Sequence, residues 1–353
     1  RVRRMVARDQ ESSILRGAIW HEQHFSDEVQ PTKEYSSEPI EQTAAVGDKQ
    51  ENEEIAGAFP KPKLYYPDID LSIPSSIYDP ENDIDIVWDL MRWEAFQEAQ
   101  REPLLVSFLY SSILNHESLE SSLAFLLANK LSSPAMISTQ INSLIMQALK
   151  KDRSIGRAIR ADIMAVRDRD PACTCLPDVF LYFKGFHALQ TYRVANKIWK
   201  TGKHVLAHYL QSQMSQTYQI DIHPNATLGN GIMLDHGTGI VIGETSHVGH
   251  NVSILHHVTL GGSGKKGVDR HPKVGDGVLL GAGTSILGNV KIGEGCQIGA
   301  GGLVITDLPP HVVAVGVPVK IIGSFVDVTE QPGLEMNQMI PSAENMTFLS
   351  EGI

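Results

Sequence analysis

The chain has 353 residues, 42% of them hydrophobic, and its 30 basic and 41 acidic side chains leave a net charge of −11. Such a length suggests two or three units, since single cores stop growing near ~250–300 residues, and the acidic balance supplies no basic stripe for a nucleic-acid backbone. No apolar run approaches the ~20 residues that cross a bilayer, and the three cysteines, Cys173, Cys175 and Cys296, cannot pair completely and read as free thiols in a reducing compartment.

Residues 1–82 are polar, acidic and turn-rich. Glu51, Glu53 and Glu54 precede Pro60, Pro62, Pro67 and Pro74, and no apolar period runs through the region. It is expected to be a mostly disordered extension. The opening Arg1-Val2-Arg3-Arg4 resembles a fragment of a transit peptide, yet acidic residues follow at once, which such peptides avoid. A cytoplasmic location is expected, with plastid and mitochondrion as the alternatives.

From residue 83 to 219 the period is helical. Ile86, Leu90, Trp93 and Phe96 open one amphipathic run, Leu119, Leu123, Leu126 and Leu127 form another, and Ile141, Leu144, Ile145 and Leu149 a third. Breakers such as Pro134 and Pro171 divide these runs into about eight predicted helices.

From residue 220 to about 322 an aliphatic residue recurs every six positions: Ile242, Val248, Ile254 and Leu260, then Val274, Leu280, Ile286, Ile292, Ile298 and Val304. Val252, Val258, Val278, Thr284, Val290, Cys296 and Gly302 occupy the fourth place after these. A six-residue period fits neither a helix nor hairpins and marks a parallel β-helix. The fold class is therefore α+β, an all-α domain followed by a parallel β-helix of hexapeptide repeats. The phase breaks between Leu260 and Val274, where a loop from Gly261 to Asp269-Arg270-His271 is expected to leave the coil, and slips again between Leu228 and Ile242, around Asp235-His236. Glycine and charge on a rigid scaffold are a common setting for a site. Residues 323–353 are expected to form a flexible polar tail.

Activating a hydroxyl takes a base near neutral pKa, ideally oriented by a carboxylate. His236 is the candidate base. Asp221 lies fifteen residues earlier, and with coils of about eighteen residues the two are expected on neighbouring coils within hydrogen-bond reach. His247, His250, His256 and His257 are dense, and His250 and His256 are expected to stack on one side. Their spacing lacks the three-ligand pattern of a zinc site, so no metal is expected and these positions read as solvated coil.

The chain from residue 83 onward resembles the serine O-acetyltransferase family of the left-handed hexapeptide-repeat acyltransferases. The motifs that carry this are Arg167-Asp168-Arg169-Asp170-Pro171-Ala172, Phe183-Lys184-Gly185-Phe186-His187-Ala188, Asp221-Ile222-His223-Pro224, Asp235-His236, Gly243-Glu244-Thr245 and Asp269-Arg270-His271-Pro272-Lys273. The resemblance implies transfer of acetyl from acetyl-CoA, the co-substrate, to the L-serine hydroxyl, the first step from serine to cysteine. It implies His236 as general base and Asp221 as its partner. Asp170 and Asp235 would hold the serine amino group, and Arg270 and His271 its carboxylate. Coenzyme A would lie against Gly262, Ser263, Ala282 and Ala300, with Lys265 near its phosphates. It further implies a homo-oligomer built as a dimer of trimers through the helical domain, L-cysteine as feedback inhibitor, and O-acetylserine sulfhydrylase as a partner docking on the C-terminal Ile353. Ser263 stands where the family usually has Thr, and His257 replaces a small residue. A sugar or antibiotic O-acetyltransferase, and a scaffold without catalysis, are the rival readings.

Overall fold

The computed structural model describes residues 78–79, 84–264, 268–327, 329–339 and 346–348. The acidic extension, apart from Tyr78 and Asp79, therefore lies outside the described residues, as do Lys265 and Ile353. Tyr78–Asp79 pairs antiparallel with Ile84–Asp85 just ahead of the first helix.

Eight α-helices follow among the described residues: α1 (Ile86–Arg101), α2 (Val106–Leu109), α3 (Leu119–Leu131), α4 (Ser138–Lys151), α5 (Arg153–Arg169), α6 (Leu176–Tyr182), α7 (Lys184–Lys200) and α8 (His204–Tyr218). Their starts follow from local chemistry. Asp85 caps α1 by accepting the Trp88 amide at 3.1 Å, and Ser118 caps α3 through the Ser121 amide. The periodic residues Leu119, Leu123, Leu127, Ile141 and Ile145 are fully buried, so the helical period is the core of this domain. One arginine organises its outer end: the buried Arg160 of α5 pairs with Asp85 and Glu120 at 2.5 and 2.7 Å, beneath the Tyr78 ring. α8 ends where Gln219 turns left-handed, and the coil begins immediately afterwards.

The coil is a three-sided left-handed parallel β-helix. Its first face stacks Asp221–Ile222, Val241–Ile242, Thr259–Gly261, Ser285–Leu287 and Leu303–Val304 in parallel register. The second stacks Thr227–Leu228, His247–Val248, Lys273–Val274 and Lys291–Ile292. The third stacks Met233–Leu234, Ser253–Ile254, Leu279–Leu280 and Gln297–Ile298, closed by the hairpin of Val312–Gly316 and Val319–Phe325. Each hexad aliphatic points inward and is buried, each contributing roughly 1.5–3 kcal/mol. Where Thr259 pairs with Ser285 across the extruded loop, the register on both sides is undisturbed.

A second buried arginine welds the two parts together. Arg193 of α7 makes two bonds to the buried Asp162 of α5, at 2.7 and 2.9 Å, and also donates to the Gly229 carbonyl of the coil at 2.8 Å. Asp162 in turn accepts the Ile232 amide at 3.1 Å. Gly185 completes the contact, because a Cβ there would lie 2.1 Å from the Leu234 carbonyl oxygen. This seats the C-terminal end of α5 and the start of α7 over the third face.

Beyond the coil, the segment expected as a flexible tail is built into the molecule over its described length. Val319–Phe325 is a strand, Pro332–Glu335 is a short helix, α9, and Met346–Phe348 pairs with the edge of Val319–Phe325. The reason is apolar: Met346 is buried against Val313 and Phe325.

Candidate active site

The site residues fall at two of the three corners. At the corner between the third and first faces, the two-residue slip makes room for Asp235-His236-Gly237-Thr238-Gly239. His236 sits in the left-handed backbone region at φ 54°, which turns its side chain outward, 74% exposed. Asp235 approaches it at 3.8 Å. Asp170 ends α5 above this corner and accepts the Ala172 amide at 2.8 Å. Burial, and after the attraction of His236 the repulsion of the Asp170 carboxylate, hold the Asp235 carboxyl above its ordinary range. The Asp235 carboxyl, with the Asp170 carboxylate beside it, is a ready seat for an ammonium group.

Below His236 the corner continues as a column. The His256 ring meets the His236 ring edge-on with centroids 5.8 Å apart. Gly283 donates its amide to the His256 carbonyl, and Gly301 donates to Ala282. The column thus runs His236, His256, Ala282, Ala300, with small residues under the two imidazoles. His257 gains an explanation too: it takes the left-handed corner at φ 59°, donates its amide to Thr238, and lays its ring where a Cβ on Gly239 would come within 2.2 Å. It walls the turn that presents His236.

The corner between the first and second faces carries the other half. Ser263 donates its amide to the Arg270 carbonyl at 3.1 Å and closes the neck of the extruded loop. Arg270 pairs with Glu244 at 2.7 Å. His271 accepts from the Thr245 amide and hydroxyl at Nδ1, at 3.2 and 2.9 Å, which leaves its Nε2–H as a donor. Burial and the Arg270 cation push the His271 pKa down, so the ring stays neutral at pH 7. The ring rests on Gly262 and Gly243, where Cβ atoms would come within 2.8 and 2.0 Å of it. An arginine beside a neutral N–H donor suits a carboxylate ligand.

Asp221 belongs with this second half. Its carboxylate accepts from Gln211 of α8 at 2.7 Å, and it acts electrostatically on His223. Among the described residues it makes no bond to His236 within one chain. His250 and His256 also part company, because residues six apart occupy successive corners: His250 is buried at the corner between the second and third faces and accepts the Asn230 amide. Two further residues stand at these corners without a role from the sequence: Glu244, which there is only part of a motif, and His256, which reads as a solvated coil position. Both were within reach of arithmetic, for His256 follows His236 by one coil plus the two-residue slip, and Arg270 follows Glu244 by one coil plus the loop. Among the described residues no three His, Cys, Asp or Glu side chains are grouped to hold a metal ion, and no helix is long and apolar enough to cross a membrane.

A triangular coil with an outward imidazole above a groove of small residues defines a hexapeptide-repeat acyltransferase. Comparison with known proteins narrows this. Residues 87–191 match the family described as serine acetyltransferase, N-terminal, and residues 271–305 match the bacterial transferase hexapeptide repeats. The serine acetyltransferase of Escherichia coli K12 is 46% identical over 77% of this chain and 98% of its own length. Soybean serine acetyltransferase, solved in complex with serine, is 51% identical with a TM-score of 0.66, over 67% of this chain and 98% of its own. The Brucella abortus enzyme, solved with coenzyme A, is 45% identical with a TM-score of 0.68, over 70% and 98%. Another solved serine acetyltransferase, 46% identical with a TM-score of 0.71, over 72% and 99%, carries cysteine. The chain belongs to the serine acetyltransferase family. It is a serine O-acetyltransferase, with acetyl-CoA as its co-substrate.

Proposed function

We propose that each active site is assembled between two neighbouring prisms of a trimer, one giving the corner of His236 and the other the corner of Arg270. The partition of the residues between two corners carries this reading. A face of about six residues spans up to ~20 Å, too wide for one amino acid to bridge. Packed side by side, two prisms bring Asp170 and Asp235 of one to the serine ammonium, and Arg270 and His271 of the other to its carboxylate. His236 takes the hydroxyl proton as the serine oxygen attacks the thioester carbonyl, with Asp221 of the adjoining prism stabilising the imidazolium. The tetrahedral intermediate collapses, the C–S bond breaks, and the proton passes to the departing thiolate to give O-acetyl-L-serine and CoA. The pantetheine arm then lies between the Ala282 and Ala300 column and Gly262 and Ser263, with Lys265 at the phosphates. Two such trimers join through the helical domains. The product feeds cysteine synthesis, with O-acetylserine sulfhydrylase bound at Ile353, and the three free thiols suit a cytoplasmic setting.

Mixed oligomers test the shared site. His236→Ala and Arg270→Ala chains, each almost inactive alone at serine well below KM, should regain roughly a quarter of wild-type activity when co-assembled, because random mixing gives that share of interfaces two intact halves. No recovery in verified mixed oligomers would place the whole site in one chain.

Cysteine carries the same amino and carboxylate groups as serine and competes for the same clamps, a reading supported by the relative solved with cysteine. Arg270→Ala should raise KM for serine and the inhibitory concentration of cysteine together, each by roughly 10–100-fold, the worth of a charge-assisted bond. Steady-state kinetics across both ligands measures this, and undiminished cysteine inhibition would put its site elsewhere.

A further inference from the structure

The segment after the coil reaches the serine site through one buried hydroxyl. Ser253 sits on the outer side of the third face, fully buried under α5 and α9. Its hydroxyl donates to the Gly333 carbonyl at 2.6 Å and accepts from Arg169 Nη1 at 3.1 Å. Arg169 is the last residue of α5, itself buried, and its other guanidinium nitrogen leans toward Asn251 Oδ1 at 3.5 Å. The next residue is Asp170.

The other end of this connection is fitted closely. Gly333 donates its amide to the Gly277 carbonyl at 2.8 Å, and a Cβ on it would come within 2.4 Å of the Asn251 carbonyl oxygen and 2.8 Å of that of Val278. Gln297 then holds the following residues, donating to the carbonyls of Asn337 and Met339 at 3.0 and 3.1 Å. The stretch from Gln331 to Met339 is thus pinned to the third face at both ends.

We infer that Ser253 is a positioning residue for serine binding, and that residues 331–339 act through it as a strut that fixes Asp170. The inference rests on the reading that Asp170 contacts the serine ammonium. The direction of Asp170 is set by where α5 stops, and α5 stops with Arg169 bonded to Ser253. Ser253 has one proton, directed to Gly333, so its oxygen is presented to Arg169 with a fixed lone pair. Withdrawing either bond loosens the last turn of α5 and the carboxylate that follows, leaving Arg169 its longer contact to Asn251, while the base, the thioester groove and the Arg270 corner stay as they are.

The test is the pattern of kinetic constants in full-length enzyme. Ser253→Ala should raise KM for serine roughly tenfold, the worth of one charge-assisted hydrogen bond, with kcat within about threefold and KM for acetyl-CoA unchanged. Ser253→Thr, which keeps the hydroxyl, should restore the serine KM. Gly333→Val, pushing from the other side, should reproduce the Ser253→Ala pattern. A chain ending at residue 330 should do so too, and one ending at 339 should not. Asp170→Ala serves as the reference. If it raises serine KM while Ser253→Ala and the chain ending at 330 do not, the strut is wrong. If Asp170→Ala leaves serine KM unchanged, the role of Asp170 falls and the strut with it. Loss of acetyl-CoA binding in parallel with serine binding would reduce Ser253 to a folding role and overturn the proposal.

Discussion

If His236 is the base proposed above, replacing it by alanine should lower kcat by roughly 10²–10⁴, the usual worth of a general base, while acetyl-CoA still binds. Two structural facts favour a clean outcome. The His236 side chain is outward and, among the described residues, makes no hydrogen bond that the coil depends on, and the hexad core beneath it, Leu234, Ile254 and Leu280, is untouched. The left-handed backbone at His236 costs about 1 kcal/mol for alanine, too little to unfold a coil of this size. Asp221→Asn costs less than His236→Ala, since an imidazole without its carboxylate still accepts a proton, though less well oriented. Thiol release from acetyl-CoA, measured with saturating serine, gives both numbers. A His236→Ala enzyme that kept more than about a tenth of wild-type kcat would remove His236 from the role of base.

On the proposed docking role, deleting residues 344–353 should abolish binding to O-acetylserine sulfhydrylase and leave acetyl transfer within a few-fold of the intact chain. In the proposed docking role Ile353 would offer an apolar side chain beside a carboxylate, which a groove lined by backbone donors could receive. Acetyl transfer should survive because the proposed site residues lie between Asp170 and Ala300, and the stretch from Gln331 to Met339 remains in place. The deletion also strips Met346 from Val313 and Phe325, so a fall of a few degrees in Tm accompanies it. Calorimetric titration with the sulfhydrylase, paired with the thiol assay on the same preparation, checks both halves. Undiminished binding by the truncated chain would end the docking role.

The coil was readable from sequence because its physics is periodic. Every sixth side chain from Ile242 to Leu260 and from Val274 to Val304 enters a dry interior, so the alphabet at those places is restricted and visible. The helical runs around Leu123 and Ile145 were readable for the same reason. Asp221 does not meet His236 on neighbouring coils of one chain, because neighbours on successive coils share a face position, and that relation runs along the register. Asp221 stands beside Val241, and the column of His236 continues to His256. Separation in sequence gives the corner only after the two-residue slip is counted. The Arg169–Ser253–Gly333 connection had no signal at all. It joins three distant stretches, and each residue alone has an ordinary explanation: a helix-end cation, a strand serine, a glycine in a short helix.

The extruded loop has a consequence for how such an enzyme can diversify. Thr259 pairs with Ser285 and His247 with Lys273 as though nothing intervened, so the scaffold is blind to what leaves it at that corner. Lengthening an excursion raises its closure entropy only logarithmically, whereas one residue added within a strand would turn the hexads inside out. A lineage could trade one alcohol for another by rewriting the excursion, while the triangular stack beneath it passes on unchanged.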